Sequence, residues 1–290
     1  MPQTEQRIQI TDLQPGNVHA VTHIGKRKNN EDYARACSVP DKGTVLIIAD
    51  GMGGGPGGEL ASKAAAETVL SAFHRSPGET NIRRLADAIL QANSRVRSLA
   101  RKTGQEGMGT TLTAAVVDPK GAMTVGHAGD SRLYLLRDKR LVRLTIDHIV
   151  PEFLYQNNRL EEHEIEHHPF ANVLHNTVDG NDSFNPDYQL LSLRRGDRLL
   201  LCTDGVHRNV RHRVLERVLA QAKSARKAAK QIIQLTKARP GRTNNGDNAT
   251  ALVYFHRPEP RLLPFALEGM HRSLGGSPQN PIKPGSSTKR

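Results

Sequence analysis

Along this chain, short unbroken apolar runs alternate with long stretches in which apolar residues recur at helical spacing. Val45-Leu46-Ile47-Ile48-Ala49 and Leu199-Leu200-Leu201-Cys202 carry no polar interruption and read as buried strands over 44–49 and 198–203. A further strand is expected at 18–24, followed by a polar turn over 25–32. A glycine-rich turn at 51–58 leads into a helix at 59–73. A second helix is expected at 81–101, with Ile82, Leu85, Ile89, Val96 and Leu99 on one face. Strands then follow at 110–117, 122–126, 132–137 and 141–144. Asp118-Pro119-Lys120-Gly121 and Asp138-Lys139 are short enough to make antiparallel hairpins. A charged segment, 147–187, interrupts before strands at 189–193 and 198–203. Between 207 and 242 the apolar residues, from Val214 to Ile233, predict one helix with a single buried stripe and a basic outer face. A last strand covers 248–255. Two adjacent helices followed by a strand meander break any βαβ repeat, so the fold class is α+β, with helices packed on antiparallel sheets.

Four aspartates sit at the ends of these strands. Asp50, Asp130 and Asp204 each close an apolar run, and Asp247 opens one. A carboxylate at the mouth of a buried strand is costly unless something positive compensates it. Four of them point to one shared cation site, and oxygen-only ligand sets suit hard ions such as Mg²⁺ or Mn²⁺.

The length of 290 residues and an apolar content of 37% suit a soluble protein with a sizeable core. No apolar run reaches the roughly 20 residues of a membrane helix. The first 14 residues are polar and mixed in charge, unlike a signal peptide. Cys37 and Cys202 lack metal-type spacing and read as reduced core thiols, consistent with a cytoplasmic protein. The net charge of +12 is uneven: residues 207–242 hold eleven Lys/Arg and one acidic residue, Glu216. Such a run is an ordinary solvated face or a docking face for an acidic partner. Nucleic acid is disfavoured, because aromatic residues are only 4% and none interleave with these charges. The division expected is a polar segment at 1–15, one domain at 16–257, and a Pro/Gly/Ser-rich basic tail at 258–290, disordered by composition.

Six motifs complete the picture: Arg27-Lys28-Asn29-Asn30-Glu31-Asp32, Asp50-Gly51-Met52-Gly53-Gly54, Gly107-Met108-Gly109-Thr110-Thr111, Gly129-Asp130-Ser131-Arg132, Cys202-Thr203-Asp204-Gly205 and Gly246-Asp247-Asn248. In order and spacing they resemble the metal-dependent serine/threonine protein phosphatases, the PPM or type 2C family, in its bacterial form. The resemblance runs from about residue 18 to 255. It implies a four-layer αββα sandwich of two antiparallel sheets flanked by helices, with a dinuclear Mn²⁺ or Mg²⁺ centre at one end. By the same resemblance Asp50 bridges both metals and the Gly51 carbonyl ligates one of them. Asp204 and Asp247 complete that ion's surroundings, Glu31 acts on the other side largely through water, and Asp32 supports the site from beside it. Asp130 and Asp204 also hold a third, weaker metal. Arg27 holds the substrate phosphate. The implied catalytic residues are Arg27, Asp50 and Asp204. The implied reaction is hydrolysis of phosphoserine and phosphothreonine by metal-activated water. The implied partners are phosphorylated proteins and a bacterial Ser/Thr kinase that the enzyme, a monomer, opposes.

The physics agrees. Phosphate monoesters hydrolyse extremely slowly, and enzymes accelerate this by up to about 10²¹-fold. A metal pair lowers the pKa of a bridging water and neutralises the leaving oxygen. A fixed guanidinium grips phosphate in a bidentate way that lysine cannot match. Glycines after Asp50 allow close backbone approach.

Some positions depart from the pattern. Met52 stands where some eukaryotic relatives carry a histidine proposed as general acid, which leaves that role unassigned. Ile146 and Ile149 to Pro151 diverge from the bacterial pattern, and so does Asn176-Thr177-Val178-Asp179-Gly180. Residues 152–172 resemble the flap that shapes substrate access.

Rival motifs fare worse. His163-Glu164-Ile165-Glu166-His167 satisfies H-E-x-x-H, but its surroundings are polar all round and Pro169 stops the helix. Gly53-Gly54-Gly55-Pro56-Gly57-Gly58 fits a dinucleotide fingerprint, yet a second helix follows where a parallel strand is required. Ser131 lacks the partners of a triad, and His127 and His148 read as hydrogen-bonded structural histidines. The alternative from another class is a pseudophosphatase that binds phosphoproteins or a kinase through the basic helix. It requires a missing ligand position, and none is missing.

Overall fold

A computed structural model of the chain describes residues 10–11, 17–52, 56–237 and 246–257. Most of the expected 1–15 segment, glycines 53–55 of the glycine-rich turn, the end of the basic stretch at 238–245 and the 258–290 tail lie outside the described residues.

Two sheets form the centre. The first is ordered β1 (Ile10–Thr11), β3 (Asp32–Val39), β4 (Gly43–Met52), β6 (Leu112–Val117), β7 (Ala122–Ala128) and β10 (Asp187–Ser192), with the two-residue β5 (Gly109–Thr110) pairing the end of β4. The second is ordered β2 (Val18–His23), β12 (Ala249–Phe255), β11 (Arg198–Cys202), β8 (Arg132–Arg137) and β9 (Arg140–Arg143). All pairings are antiparallel except β1 with β3.

The unbroken apolar runs are explained by burial on both faces. Along β4, Val45, Ile47 and Ala49 join one core while Leu46 and Ile48 join another. Along β11, Leu199 and Leu201 face the same inter-sheet core as Leu46, whereas Leu200 and Cys202 face a third. Period-two alternation therefore separates two cores rather than core from water. Helices α1 (Pro56–Arg75) and α2 (Asn81–Thr103) cover the first sheet. In α2, Leu85, Ala88, Ile89, Ala92, Val96 and Ala100 are buried, the spacing of one helical face. Helices α5 (His212–Gln221) and α6 (Ala225–Lys237) cover the second. The result is the four-layer αββα sandwich.

Three expectations change. The basic stretch is not one helix: after the short α4 (Asp204–His207) it holds two, α5 and α6. The α5 cap, Ala222, is extended at ψ 134°, and the Ser224 hydroxyl accepts from the Lys227 amide at 3.2 Å, so the chain restarts. The break lets both stripes reach the sheet. Strand β3 went unread because small Ala34 and Ala36 alternate with Tyr33 and Arg35, giving no strong apolar period. The segment 147–187 carries α3 (Val150–Gln156) and a 3₁₀ turn, Glu162–His167. At three residues per turn, positions 163 and 167 do not share a face, which removes the zinc-helix geometry.

Candidate active site

Both hairpins expected from the short turns form, β6–β7 and β8–β9. They help bring distant loops to one end of the sandwich. There, Arg27, Glu31, Asp50, Asp130, Asp204 and Asp247 line a single cleft, with Gly51 among its walls. Asp32 lies behind it. It sits directly opposite Asp50 in the β3–β4 ladder and is almost fully buried. Its Oδ2 accepts from the Thr203 and Thr250 hydroxyls at 2.9 and 2.7 Å.

Backbone and hydroxyl groups fix the centre of the cleft. The Asp50 amide donates to Thr111 Oγ1 at 2.9 Å, and the Thr111 amide returns a 2.9 Å bond to the Asp50 carbonyl. Thr111 and Ser131 hydroxyls are 2.8 Å apart, so Ser131 is a buried structural group rather than a nucleophile. Close backbone approach explains two glycines. A Cβ on Gly51 would overlap the Gly58 carbonyl, and one on Gly58 would overlap the Glu31 carboxylate.

Burial, with crowded like charges behind it, sets the electrostatics. Burial, then Asp32, Asp204, Asp130 and Asp247, pushes the Asp50 carboxyl well above its ordinary range. Burial and Asp130 raise Asp204 to about 7, and burial raises Asp32 to about 7. An all-oxygen donor set whose members raise one another's proton affinity fits a divalent cation. Among the described residues no three such side chains are already drawn together around one point. Two arginines pair with them instead. Arg27 Nη2 is 2.8 Å from Asp247 Oδ2. Arg208 Nη2 is 2.8 Å from Asp130 Oδ2, and its Nε is 3.3 Å from Asp204 Oδ2.

Several contributors escaped the sequence reading. Arg208 was counted only as one basic residue among eleven, although its position four after Asp204 on a helical turn is the signal that pairs them. Asn248 was quoted as part of a motif without a role. Its Oδ1 accepts from the Glu31 amide at 2.8 Å, and its Nδ2 donates to the Ile24 and Asn29 carbonyls at 2.8 and 3.0 Å. It thus ties the loop carrying Arg27 and Glu31 to the start of β12. Half-buried His207 lies 3.0 Å from the Asp130 carbonyl, and desolvation of its ring pushes the imidazole down to about 3.

The flap closes one side through Asn172 and Leu174. Its first end is held by the His148 amide on the Gly129 carbonyl at 2.8 Å. Its second end is held by Asn93 of α2, which binds the Gly180 amide at 2.7 Å and the Asn181 carbonyl at 2.9 Å. His127 bonds Thr113 Oγ1 and the Ile146 carbonyl, both at 2.9 Å, and His148 bonds Asp187 at 3.1 Å. Both are structural, as expected.

Comparison with known proteins matches this arrangement. Residues 21–238 fit the family described as protein phosphatase 2C. The serine/threonine protein phosphatase PstP of Mycobacterium tuberculosis is 32% identical over 228 residues, covering 78% of this chain. The chain spans 42% of that relative's length. The protein phosphatase PhpP of Streptococcus pneumoniae is 32% identical over 194 residues, 65% of this chain and 78% of PhpP. A crystal structure of the catalytic domain of PstP in complex with 2 manganese ions aligns with TM-score 0.67 and 29% identity, covering 82% of this chain and 97% of that one. With its two-sheet sandwich and acidic cleft, the chain belongs to the protein phosphatase 2C family, the PPM phosphatases of bacterial type.

Proposed function

We propose that this chain is a protein serine/threonine phosphatase that hydrolyses phosphoserine and phosphothreonine at a dinuclear Mn²⁺ or Mg²⁺ centre. The observation that carries the reading is the convergence of Glu31, Asp50, Asp204 and Asp247 on one cleft beside Arg27, with Asp50 at its crowded centre. Asp50 would be the residue shared by the two ions, and the Gly51 carbonyl, Asp204 and Asp247 would hold one of them while Glu31 would serve the other. Asp32 holds Asp50 from behind. The ions supply positive charge and a water activated for attack on phosphorus. The chain's own residues orient the reaction. Arg27, more than half exposed beside Asp247, is free of the core and reaches the cleft mouth to hold phosphate oxygens. Met52 lines the cleft without a titratable group, so this position provides no general acid.

The phosphatase domain is assigned to 16–257, which is supported by β12 pairing between β2 and β11 at the centre of the second sheet. No described helix is long and apolar enough to cross a membrane. We assign a cytoplasmic, monomeric enzyme opposing a Ser/Thr kinase, as the family resemblance and the two cysteines without metal-type spacing implied. Exposed Phe153, Phe170 and Val173 on the flap offer substrate an apolar contact beside the polar cleft.

The test is hydrolysis of p-nitrophenyl phosphate and of a phosphothreonine peptide, with and without Mn²⁺. Asp50→Asn and Asp204→Asn are expected to lower kcat by at least about 10²-fold. Purified protein that hydrolyses neither substrate, with Asp204→Asn indistinguishable from wild type, would sink the catalytic reading.

A further inference from the structure

Arg208 occupies a place that its sequence setting did not announce. It follows the α4 turn that begins at Asp204, and its amide caps that turn by donating to the Asp204 carbonyl at 3.0 Å. From there the guanidinium addresses three acceptors in three directions. Nη2 takes Asp130, Nε faces Asp204, and Nη1 donates to the Asn172 side-chain oxygen of the flap. The Asp130 and Asp204 side chains are 8% and 14% exposed, and Arg208 is 21% exposed, so this is not a solvated surface pair. Arg208 is also among the groups that lower the proton affinity of both carboxylates, against burial and Asp147 at Asp130 and against burial and Asp130 at Asp204.

We propose that Arg208 is a positioning residue whose guanidinium supplies, from within the chain, the positive charge between Asp130 and Asp204, and that through Asn172 it fastens the flap over the cleft. This rests on the two-ion reading of the site. The third, weaker ion that the family resemblance implied for Asp130 and Asp204 does not fit, because Arg208 hydrogen-bonds Asp130 at 2.8 Å, and Asp130 is the carboxylate that serves that ion alone, whereas Asp204, at the longer 3.3 Å contact, keeps its place beside the first pair of ions. Only a planar fork can hold the three partners together. A lysine ammonium would bring the charge but not the three fixed directions.

The inference separates metal count from flap order, so both are measured. Calorimetric titration with Mn²⁺ counts the ions, and amide hydrogen exchange in Mn²⁺-saturated protein follows residues 170–175. Wild type is expected to take two ions per chain and to protect the flap. Arg208→Ala is expected to admit a third, weaker ion and to exchange flap amides roughly tenfold faster, on the scale of one lost charge-assisted hydrogen bond. Arg208→Lys, which keeps the charge, should stay at two ions yet lose the flap protection. Asn172→Ala should do the same. If Arg208→Ala loses its cooperative melt, Arg208→Gln replaces it in the same comparison.

A wild type that binds three ions, or an Arg208→Ala that stays at two, overturns the role of the guanidinium as resident charge. Unchanged flap exchange in both Arg208→Ala and Asn172→Ala overturns the tether. A wild type that binds no Mn²⁺ removes the two-ion reading itself, and this inference with it.

Discussion

Replacing Asn248 by alanine tests whether one buried amide organises the substrate side of the cleft. Asn248 is 4% exposed, and its side chain makes three hydrogen bonds to the loop between β2 and β3. Each such bond contributes about 1 kcal/mol net, and losing its partner leaves a backbone group unsatisfied. Ile24, Asn29 and Glu31 are themselves partly or fully exposed, so water can replace part of what is lost. The expected cost is about 2–3 kcal/mol, measured by urea unfolding in EDTA so that metal binding does not mask it. For a domain of this size that is a fall in Tm of about 4–10 °C. The catalytic effect should be larger in proportion. Arg27 and Glu31 ride on the released loop, and a displacement near 1 Å can cost about 10²-fold in rate. Asn248→Asp provides a sharper control. It keeps an acceptor for the Glu31 amide but turns a carboxylate toward two carbonyls, so it should recover little of either loss. A destabilisation below about 0.5 kcal/mol with kcat/KM within twofold of wild type would refute this account.

Two further expectations concern pH and backbone approach. Burial, with His148 adding, pushes His127 down to about 4, whereas an unfolded imidazole titrates near 6.5. Between those values the unfolded chain binds the extra proton, so stability is full above about pH 6.5 and falls as pH drops toward 4. The loss from this group is about 2 kcal/mol at pH 5. His127→Gln should flatten the dependence of the urea midpoint on pH between 7 and 5, and an equal slope in both proteins would count against it. In Gly58→Ala the added methyl meets the movable Glu31 carboxylate and sits 3.0 Å from the Gly51 carbonyl carbon, a tight contact that the better helix former in α1 offsets. Tm should hold or rise while Mn²⁺ affinity and kcat/KM fall at least about tenfold; unchanged Mn²⁺ affinity would show that the Gly58–Glu31 approach does not matter.

Legibility followed the strength of local signal. The runs 44–49 and 198–203 and the stripe of α2 were readable because burial on defined faces writes a period into the residues. Strand β3 was not, since alanines carry too little apolar contrast. The single basic helix expected over 207–242 became two, because apolar spacing says nothing about where the axis restarts. Helical spacing for His163 and His167 likewise failed to distinguish an α-helix from the 3₁₀ turn that forms.

For the site, the strand-end pattern pointed to Asp50, Asp130, Asp204 and Asp247, because acidic groups at strand ends have a desolvation cost that demands a shared explanation, whereas Arg27, Glu31, Asp32 and Gly51 entered only through the family resemblance. Which of them crowd one another, and what stands among them, was set by packing. Asp32 retreats behind Asp50 because the β3–β4 register pairs them directly. Asn248 reaches across more than two hundred residues to hold the Glu31 loop. Arg208 lies between Asp130 and Asp204 because one turn of helix and the end of β7 meet at the same rim. The four strand-end aspartates were thus legible from one-dimensional pattern, as a demand for positive charge. How that demand is met depends on distances between segments far apart in the chain, and those exist only once the two sheets have packed.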